Sequence, residues 1–377
     1  MRRILIMMDS LTCGGAEKSL ISLLPFLVRP DYQITLMLVR RGGLFETYVP
    51  PEVDIVKFPF THSVFRKIIY SLALRMPWNK KRHKAEVFWQ CIGRYYPSLK
   101  QQYDVAIAYQ QGFPTFYIAD KIIAKKKFCW INTDLIAAGY SPAFCNYFYN
   151  MFDKISVVSD ILREKIINYN YYNDKTKTLT CLDIMNETLI RQMAVQRRPY
   201  ISHNNCLDIV TVGRLVPLKG YDIAIEAAKI LKVKGVNFIW HIVGGGELYN
   251  QLAADIIAAD LSSMVVLEGE LLNPYPYIAS CDIYVQTSKF EGFGLTVGEA
   301  KILGKPIVST NFPVIYNQIT NDYNGLVVEM NGEAIADGIL RLIKDSALKE
   351  RLVGNLLKEH NTTAETESAK VIKLIEE

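Results

Sequence analysis

Four times in this chain a short strand-like run ends in a glycine-bearing loop that opens into a helix-patterned segment. The first, Arg2-Arg3-Ile4-Leu5-Ile6-Met7-Met8, leads through Gly14-Gly15 into 16–24. The second, 207–212, leads through Gly213 to Gly220 into 221–233, and the third, 238–243, through Gly244-Gly245-Gly246 into 248–258. The fourth, 282–287, turns at Gly292 and Gly294 into a helix that Gly304 stops. Strand–loop–helix repetition makes successive strands parallel, because the helix carries the chain back across the sheet. It also gathers the loops at the carboxyl ends of the strands, where ligands of open α/β sheets bind. The pattern predicts an α/β fold of parallel sheets with helices on both faces. Further strands are expected at 33–39, 54–58, 105–109, 127–132, 155–158 and 178–181, then at 264–269, 306–309 and 325–328. Helices are expected at 332–344, 347–358 and 369–376.

The fourth loop carries the densest chemistry, Ser288-Lys289-Phe290-Glu291-Gly292-Phe293-Gly294-Leu295-Thr296-Val297-Gly298-Glu299-Ala300. Backbone N–H groups opening a helix favour phosphate, and the flanking carboxylates can accept hydrogen bonds from sugar hydroxyls. Nucleotide-sugar binding is one reading. The plainer one makes Gly292 and Gly294 turn residues and leaves Glu299 where the helix dipole favours any carboxylate. In the second loop Arg214 and Lys219 share one strand's carboxyl end, a fork and a point charge suited to a diphosphate, or two solvated cations. Gly14-Gly15 lets backbone approach a ligand but is equally common in turns without one. Gly244 belongs to a close-approach turn that lacks the Gly-x-Gly-x-x-Gly fingerprint. Asn132-Thr133-Asp134 closes the strand 127–132, either facing the ligand crevice or capping a helix.

A chain of 377 residues fits two domains better than one. Residues 183–205 lose periodicity and include Arg197-Arg198-Pro199, which places boundaries at 1–190, a linker 191–205, and 206–358. A helical tail, 359–377, is free to pack back on the amino-terminal domain. Charge divides in the same way: residues 1–200 hold 28 Lys+Arg against 16 Asp+Glu, and the remainder 15 against 22. The basic half suits an anionic surface or an acidic acceptor. Within it, 63–99 interleaves Arg66, Lys67, Lys80, Lys81 and Arg82 with Phe65, Ile68, Leu72 and Trp78. That mixture fits an interfacial segment on anionic lipid, or two surface helices with a solvated basic face. It carries no nucleic-acid-binding signature. Half the residues are hydrophobic and 21% charged, which excludes a disordered chain. Seven scattered cysteines without a Cys-x-x-Cys pair argue for reduced thiols in the cytoplasm and against zinc or a disulfide framework. No uncharged run is long enough to span a bilayer, and Ile4–Met8 is too short for a signal peptide.

These loops in this order resemble the retaining glycosyltransferases of family 4 (glycosyl transferases group 1). The matching residues are Gly14-Gly15-Ala16-Glu17, Gly213-Arg214-Leu215 with Lys219-Gly220, Val243-Gly244-Gly245-Gly246, and Glu291 through Glu299-Ala300. Gly304-Lys305-Pro306-Ile307-Val308 and Asn324-Gly325-Leu326-Val327 reinforce them. The resemblance covers essentially the whole chain and is strongest from Leu207 to Val328. It implies the GT-B fold, two Rossmann-like doubly wound domains facing across a cleft. It also implies transfer of a hexose-type sugar from a nucleotide diphosphate sugar, UDP-linked by expectation, to a growing glycan that is lipid-linked or part of a cell-surface polysaccharide.

Under the resemblance Arg214 and Lys219 neutralise the diphosphate, Glu291 binds the transferred sugar and Glu299 holds the ribose. Gly292, Phe293, Gly294 and Leu295 offer backbone donors, with Thr296, Gly213 and Gly244 on the donor side, while Gly14 and Gly15 border donor and acceptor. No cofactor or metal is implied, and the attack is front-face, with Glu291 not a nucleophile. The implied location is cytoplasmic, peripheral at the inner face of the plasma membrane. One departure stands out: relatives often carry histidine where this chain has Asn132, an amide that hydrogen-bonds but cannot relay a proton. The competing classes are another GT-B enzyme, such as a nucleotide-sugar epimerase or phosphorylase, and a non-catalytic sugar-nucleotide-binding protein.

Overall fold

The computed structural model describes residues 1–12, 14–196, 206–359 and 363–377. The chain forms two compact units, Met1–Ile184 with Thr363–Glu377, and Met185–Thr362.

The first unit is built on seven strands: β1 (Arg2–Met8), β2 (Tyr32–Leu38), β3 (Asp54–Lys57), β4 (Gln102–Ala108), β5 (Ile123–Ile131), β6 (Lys154–Val157) and β7 (Thr178–Thr180). They lie in the order β3-β2-β1-β4-β5-β6-β7, and every pairing is parallel. Ile4 to Met8 are wholly buried, the signature of a strand covered on both faces. The carboxyl-terminal helix Thr363–Glu376 belongs to this unit and packs on helix Gly15–Leu27. It starts earlier than the expected 369–376, with Ala364 and Glu367 already buried in its first turns.

The second unit has six strands: β8 (Leu207–Val212), β9 (Phe238–Val243), β10 (Val265–Gly269), β11 (Ile283–Gln286), β12 (Ile307–Thr310) and β13 (Leu326–Val328). Their order is β10-β9-β8-β11-β12-β13, again all parallel. Both sheets therefore reverse direction next to their first strand, between β1 and β4 in one and between β8 and β11 in the other. Those two switch points are where a doubly wound sheet opens a crevice at its carboxyl edge.

The stretch 183–205 is not uniformly irregular, as its loss of periodicity suggested. Glu187–Ala194 is a helix, capped by Asn186, whose side chain accepts from Leu189 N at 3.0 Å. Its buried Ile190 and Met193, three residues apart, seat it against helices Tyr275–Ser280 and Leu295–Ile302. Leu189, Ile190, Met193 and Ala194 do recur at helical spacing, but over only two turns and beside the aperiodic residues that follow. Residues 197–205, in which the rest of the expected linker falls, lie outside the described residues.

Candidate functional site

The second unit's switch point brings together the loops after β8 and β11. Gly220 makes the approach possible: its φ is +63, and a Cβ there would stand 2.1 Å from the Thr287 carbonyl oxygen. Thr287 Oγ1 donates to the Lys219 carbonyl at 2.9 Å, and Lys289 N to the Leu218 carbonyl at 2.8 Å, stapling one loop to the other. Lys219 is thereby aimed at Glu291, and the two form an ion pair at 2.5 Å between Nζ and Oε1. Both side chains are largely enclosed, 18% and 10% exposed, so solvent screens the pair little.

The same Glu291 oxygen also accepts from Gln286 Nε2 at 2.9 Å and Ser288 Oγ at 2.6 Å. Gln286 is fixed in turn: its Oε1 accepts from Tyr284 Oη at 2.7 Å and Thr296 Oγ1 at 3.2 Å, and its Nε2 also donates to Ser288 Oγ at 2.7 Å. The resulting network holds one carboxylate oxygen in a single place at the carboxyl end of β11. Tyr284, Gln286 and Ser288 were absent from the sequence-derived site. Their signal was there, a glutamine ending the otherwise apolar strand Ile283-Tyr284-Val285-Gln286, where a buried amide demands partners.

Arg214 sits on the facing loop and is exposed. Its loop rests on the glycines after β9. Gly244, at φ +155, lies so close that a Cβ would meet the Gly213 oxygen at 1.9 Å, and Leu215 N donates to the Gly245 carbonyl at 2.8 Å. In this arrangement Gly244 supports the Gly213–Arg214 backbone. Beyond Glu291 the chain turns through Gly292, Phe293 and Gly294 into helix Leu295–Ile302, with Gln318 Nε2 donating to the Phe293 carbonyl at 2.6 Å. Leu295 and Thr296 form the first turn. Glu299, one turn further in, is buried at 1% exposure and its Oε1 accepts from Tyr275 Oη at 3.0 Å.

The first unit gathers different chemistry at its switch point. Gly14 caps helix Gly15–Leu27, whose first residue is Gly15. After β1, Asp9 N donates to Gln110 Oε1 at 3.4 Å, and after β5, Asn132 N donates to Gln111 Oε1 at 3.0 Å. Asn132 Nδ2 donates to the Tyr109 carbonyl at 3.0 Å, so Asn132 ties the end of β5 to the end of β4. Asp134 accepts from Ile136 N at 3.0 Å and Ala137 N at 3.1 Å and pairs with Lys165, a turn cap. Tyr109 stacks on Trp130 with ring centroids 5.1 Å apart, and its hydroxyl meets Ser19 Oγ at 3.0 Å. Two carboxyls of this unit are pushed upward, Asp9 after β1 and Asp183 after β7. Desolvation raises Asp9 to about 6, with Arg40 pulling it back, and raises Asp183 to about 7, with a Ser19 hydrogen bond opposing and Glu17 adding to the rise.

Among the described residues no group of three or more His, Cys, Asp or Glu side chains is placed to hold a metal ion. Among them, too, no helix is long and apolar enough to cross a membrane.

Residues 195–358 match the family of glycosyl transferases group 1. The chain is 27% identical over 208 residues to the capsular polysaccharide biosynthesis glycosyltransferase CapM of Staphylococcus aureus, covering 53% of this chain and 55% of that one. It is 34% identical over 152 residues to the amylovoran biosynthesis glycosyltransferase AmsK of Erwinia amylovora, covering 37% of each. The matched stretch thus spans little more than half of these relatives at most. In three dimensions the chain is similar over its full length to Anabaena HepE, crystallised with UDP and glucose, with a TM-score of 0.74 at 18% identity. That likeness shows the fold, the two-unit GT-B type.

Proposed function

We propose, from the match of residues 195–358 to the glycosyl transferases group 1, that the protein transfers a sugar from a UDP-linked donor to a growing cell-surface glycan, with retention of anomeric configuration. The observation that carries the proposal is the Lys219–Glu291 pair at the β8/β11 switch point, with Arg214 on the same loop as Lys219. A departing nucleoside diphosphate gains negative charge as the glycosidic bond breaks. Preorganised cations at that position stabilise the charge most in the transition state. In this reading Lys219 and Arg214 take the leaving group without a metal ion. The donors opened by Gly292, Phe293, Gly294 and Leu295 meet the phosphates, and Glu299 serves the ribose.

Glu291 binds hydroxyls of the transferred sugar. Three donors already converge on its Oε1, which suits a carboxylate held for hydrogen bonding better than a nucleophile. The acceptor side falls to the first unit in this reading, with Gly14 and Asn132 on the acceptor or donor-sugar side and Gly15 bordering the donor. CapM and AmsK are named for polysaccharide biosynthesis, and the basic amino-terminal half suits an acceptor carried on a lipid diphosphate at an anionic membrane surface, with the protein peripheral on its cytoplasmic side.

Purified protein incubated with a panel of nucleotide sugars tests this. We expect UDP and one UDP-sugar to raise the melting temperature, and slow UDP release to persist in EDTA. Nuclear magnetic resonance of the product should show the donor's anomeric configuration. Absence of any nucleotide-dependent stabilisation, together with absence of UDP release, would sink the proposal; an inverted product would sink retention alone.

A further inference from the structure

An amphipathic helix on a folded protein ordinarily turns its apolar stripe inward. Helix Val64–Arg75 does the reverse, and none of its residues is buried. Val64, Ile68 and Leu72 follow one another at four-residue spacing, with Phe65 and Ile69 alongside, so they share one face. That face is open: Val64 is 72% exposed, Phe65 70%, Ile68 52% and Leu72 50%. The turn after the helix adds Trp78 at 71%.

The inner side is held by other groups. The Arg66 guanidinium lies 3.4 Å from the Tyr95 ring centroid, and Tyr70 meets Phe88 edge-on at 5.5 Å. Ser63 caps the start of the helix, and Asn79 Nδ2 donates to the Ala73 carbonyl at 2.9 Å near its end. The orientation is thus fixed by specific contacts rather than left to chance.

Around the open face the charge has one sign. No Asp or Glu occurs from residue 55 to residue 85, whereas Lys67, Arg75, Lys80, Lys81 and Lys84 are exposed. An apolar stripe with a cationic collar and no carboxylate matches a plane of negative charge lying over hydrocarbon. Long basic side chains can reach the headgroups while the stripe sinks below them, and tryptophan favours that boundary. The five cations are spread around the apolar stripe rather than set on one side of it, which a uniform plane of anionic headgroups meets at every point.

We propose that Val64–Arg75 and the turn to Trp78 form a docking element that lies flat on a bilayer of anionic phospholipid. The inference rests on the reading of the protein as acting on membrane-borne acceptors, and it names the residues that make the contact.

The test uses the full chain and vesicles of phosphatidylcholine with or without phosphatidylglycerol, free of acceptor and nucleotide sugar, so that its outcome is independent of glycosyl transfer. Trp78 is a built-in reporter, since Trp89, Trp130 and Trp240 are 4%, 2% and 0% exposed. Vesicles containing phosphatidylglycerol should carry the protein down on centrifugation, shift its emission to the blue, and allow quenching by brominated lipid. Trp78→Phe should silence both optical signals.

Phe65→Glu with Leu72→Glu should abolish sedimentation with the melting temperature unchanged. Lys80→Glu with Lys81→Glu should weaken it by at least tenfold, given roughly fivefold per basic residue. Added salt should weaken binding in the same direction. Equal binding to neutral vesicles overturns the proposal, and so does binding that survives the Phe65/Leu72 change. A wild-type dimer that the same change converts to monomer, with no vesicle binding by either, overturns it in favour of a second copy of the chain. Quenching of wild-type Trp78 needs no variant, so its absence overturns the proposal even where a substitution fails to fold.

Discussion

The two units share a strand order and a switch point yet equip that point in opposite ways. Beside β8 and β11 the loops present Arg214, Lys219 and Glu291, with a largely enclosed ion pair braced by a glutamine and a serine. Beside β1 and β4 the loops present amides, a tyrosine and Asp9, and the buried Asp183, after β7, reaches the Ser19 side of the same unit; burial shifts both carboxyls upward. A fold alone therefore does not choose the ligand. The charged floor suits a diphosphate that gains charge as it leaves. The amide- and hydroxyl-rich floor, with no exposed Arg–Lys pair of this kind among the loop residues named, suits hydroxyl groups, which need donors and acceptors more than countercharge.

The largest effect should come from removing the charge on the second unit's floor. Lys219→Ala should lower kcat/KM by about 10²- to 10³-fold, the usual cost of deleting one electrostatic donor to a developing anion. Ser288→Ala, which removes one of three donors to Glu291, should cost far less, because Lys219 and Gln286 still hold that carboxylate. Combining Lys219→Ala with Glu291→Ala should be strongly non-additive, since the two side chains form one unit. Steady-state kinetics on the four variants would check this. A Lys219→Ala enzyme within a few-fold of wild type would make the pair structural and erase the contrast between the units.

How much of this contrast was legible in the sequence depends on how local its causes are. The strand–loop–helix repetition announced both parallel sheets, because that connectivity permits little else. Arg214, Lys219 and Glu291 were legible as charged residues on glycine-bearing loops. What brings Lys219 and Glu291 together is the bare Gly220 against the Thr287 carbonyl, a contact between residues far apart in the chain, which no local pattern records. Gln286 was visible as an odd polar residue in a strand, but its partners belong to the fold. In the first unit Asp183 opens the stretch 183–205 that loses periodicity. Only its burial, with the Ile184 N to Ser19 Oγ hydrogen bond of 3.0 Å alongside, separates it from a loop aspartate. The helix Glu187–Ala194 did carry a local signal, an Asn186 cap and Leu189, Ile190, Met193 and Ala194 at helical spacing, but it is only two turns long beside an aperiodic stretch.

A smaller effect tests the buried carboxyl of the first unit. Asp183 has a folded pKa of about 7 against an ordinary 3.8. Between those values the folded chain holds the proton that the unfolded chain releases, so rising pH favours unfolding through that window and the penalty levels off above it. Asp183→Asn removes the ionisation while keeping a side chain of the same shape. Urea denaturation from pH 4 to pH 8 should show the variant gaining on wild type as pH rises. The gain should reach about 2 kcal/mol near pH 8, less than the full shift implies because the amide must re-form the contact with Ser19. Asp9 contributes equally to both proteins and cancels. Stability curves that stay parallel across the range would mean that Asp183 is charged and that the two units differ less than the geometry suggests.

The smallest effect concerns Asn132, where the resemblance to family 4 leads to the expectation of a histidine. Its Nδ2 donates to the Tyr109 carbonyl and its N to Gln111, so it joins the ends of β4 and β5 whatever else it does. Asn132→Ala deletes the first of these bonds and should cost about 1 kcal/mol of stability, read from the denaturation midpoint. If the amide serves only as a strap, kcat and KM should be unchanged once the protein is folded. If it also meets a substrate hydroxyl, as we propose, kcat should fall about tenfold, roughly the value of one neutral hydrogen bond. The pH profile of kcat should keep its shape in either case, because an amide has no proton to relay. A change in that shape would require a titrating partner beside Asn132, and Asp9, held near pH 6 at the same switch point, would be the first to examine.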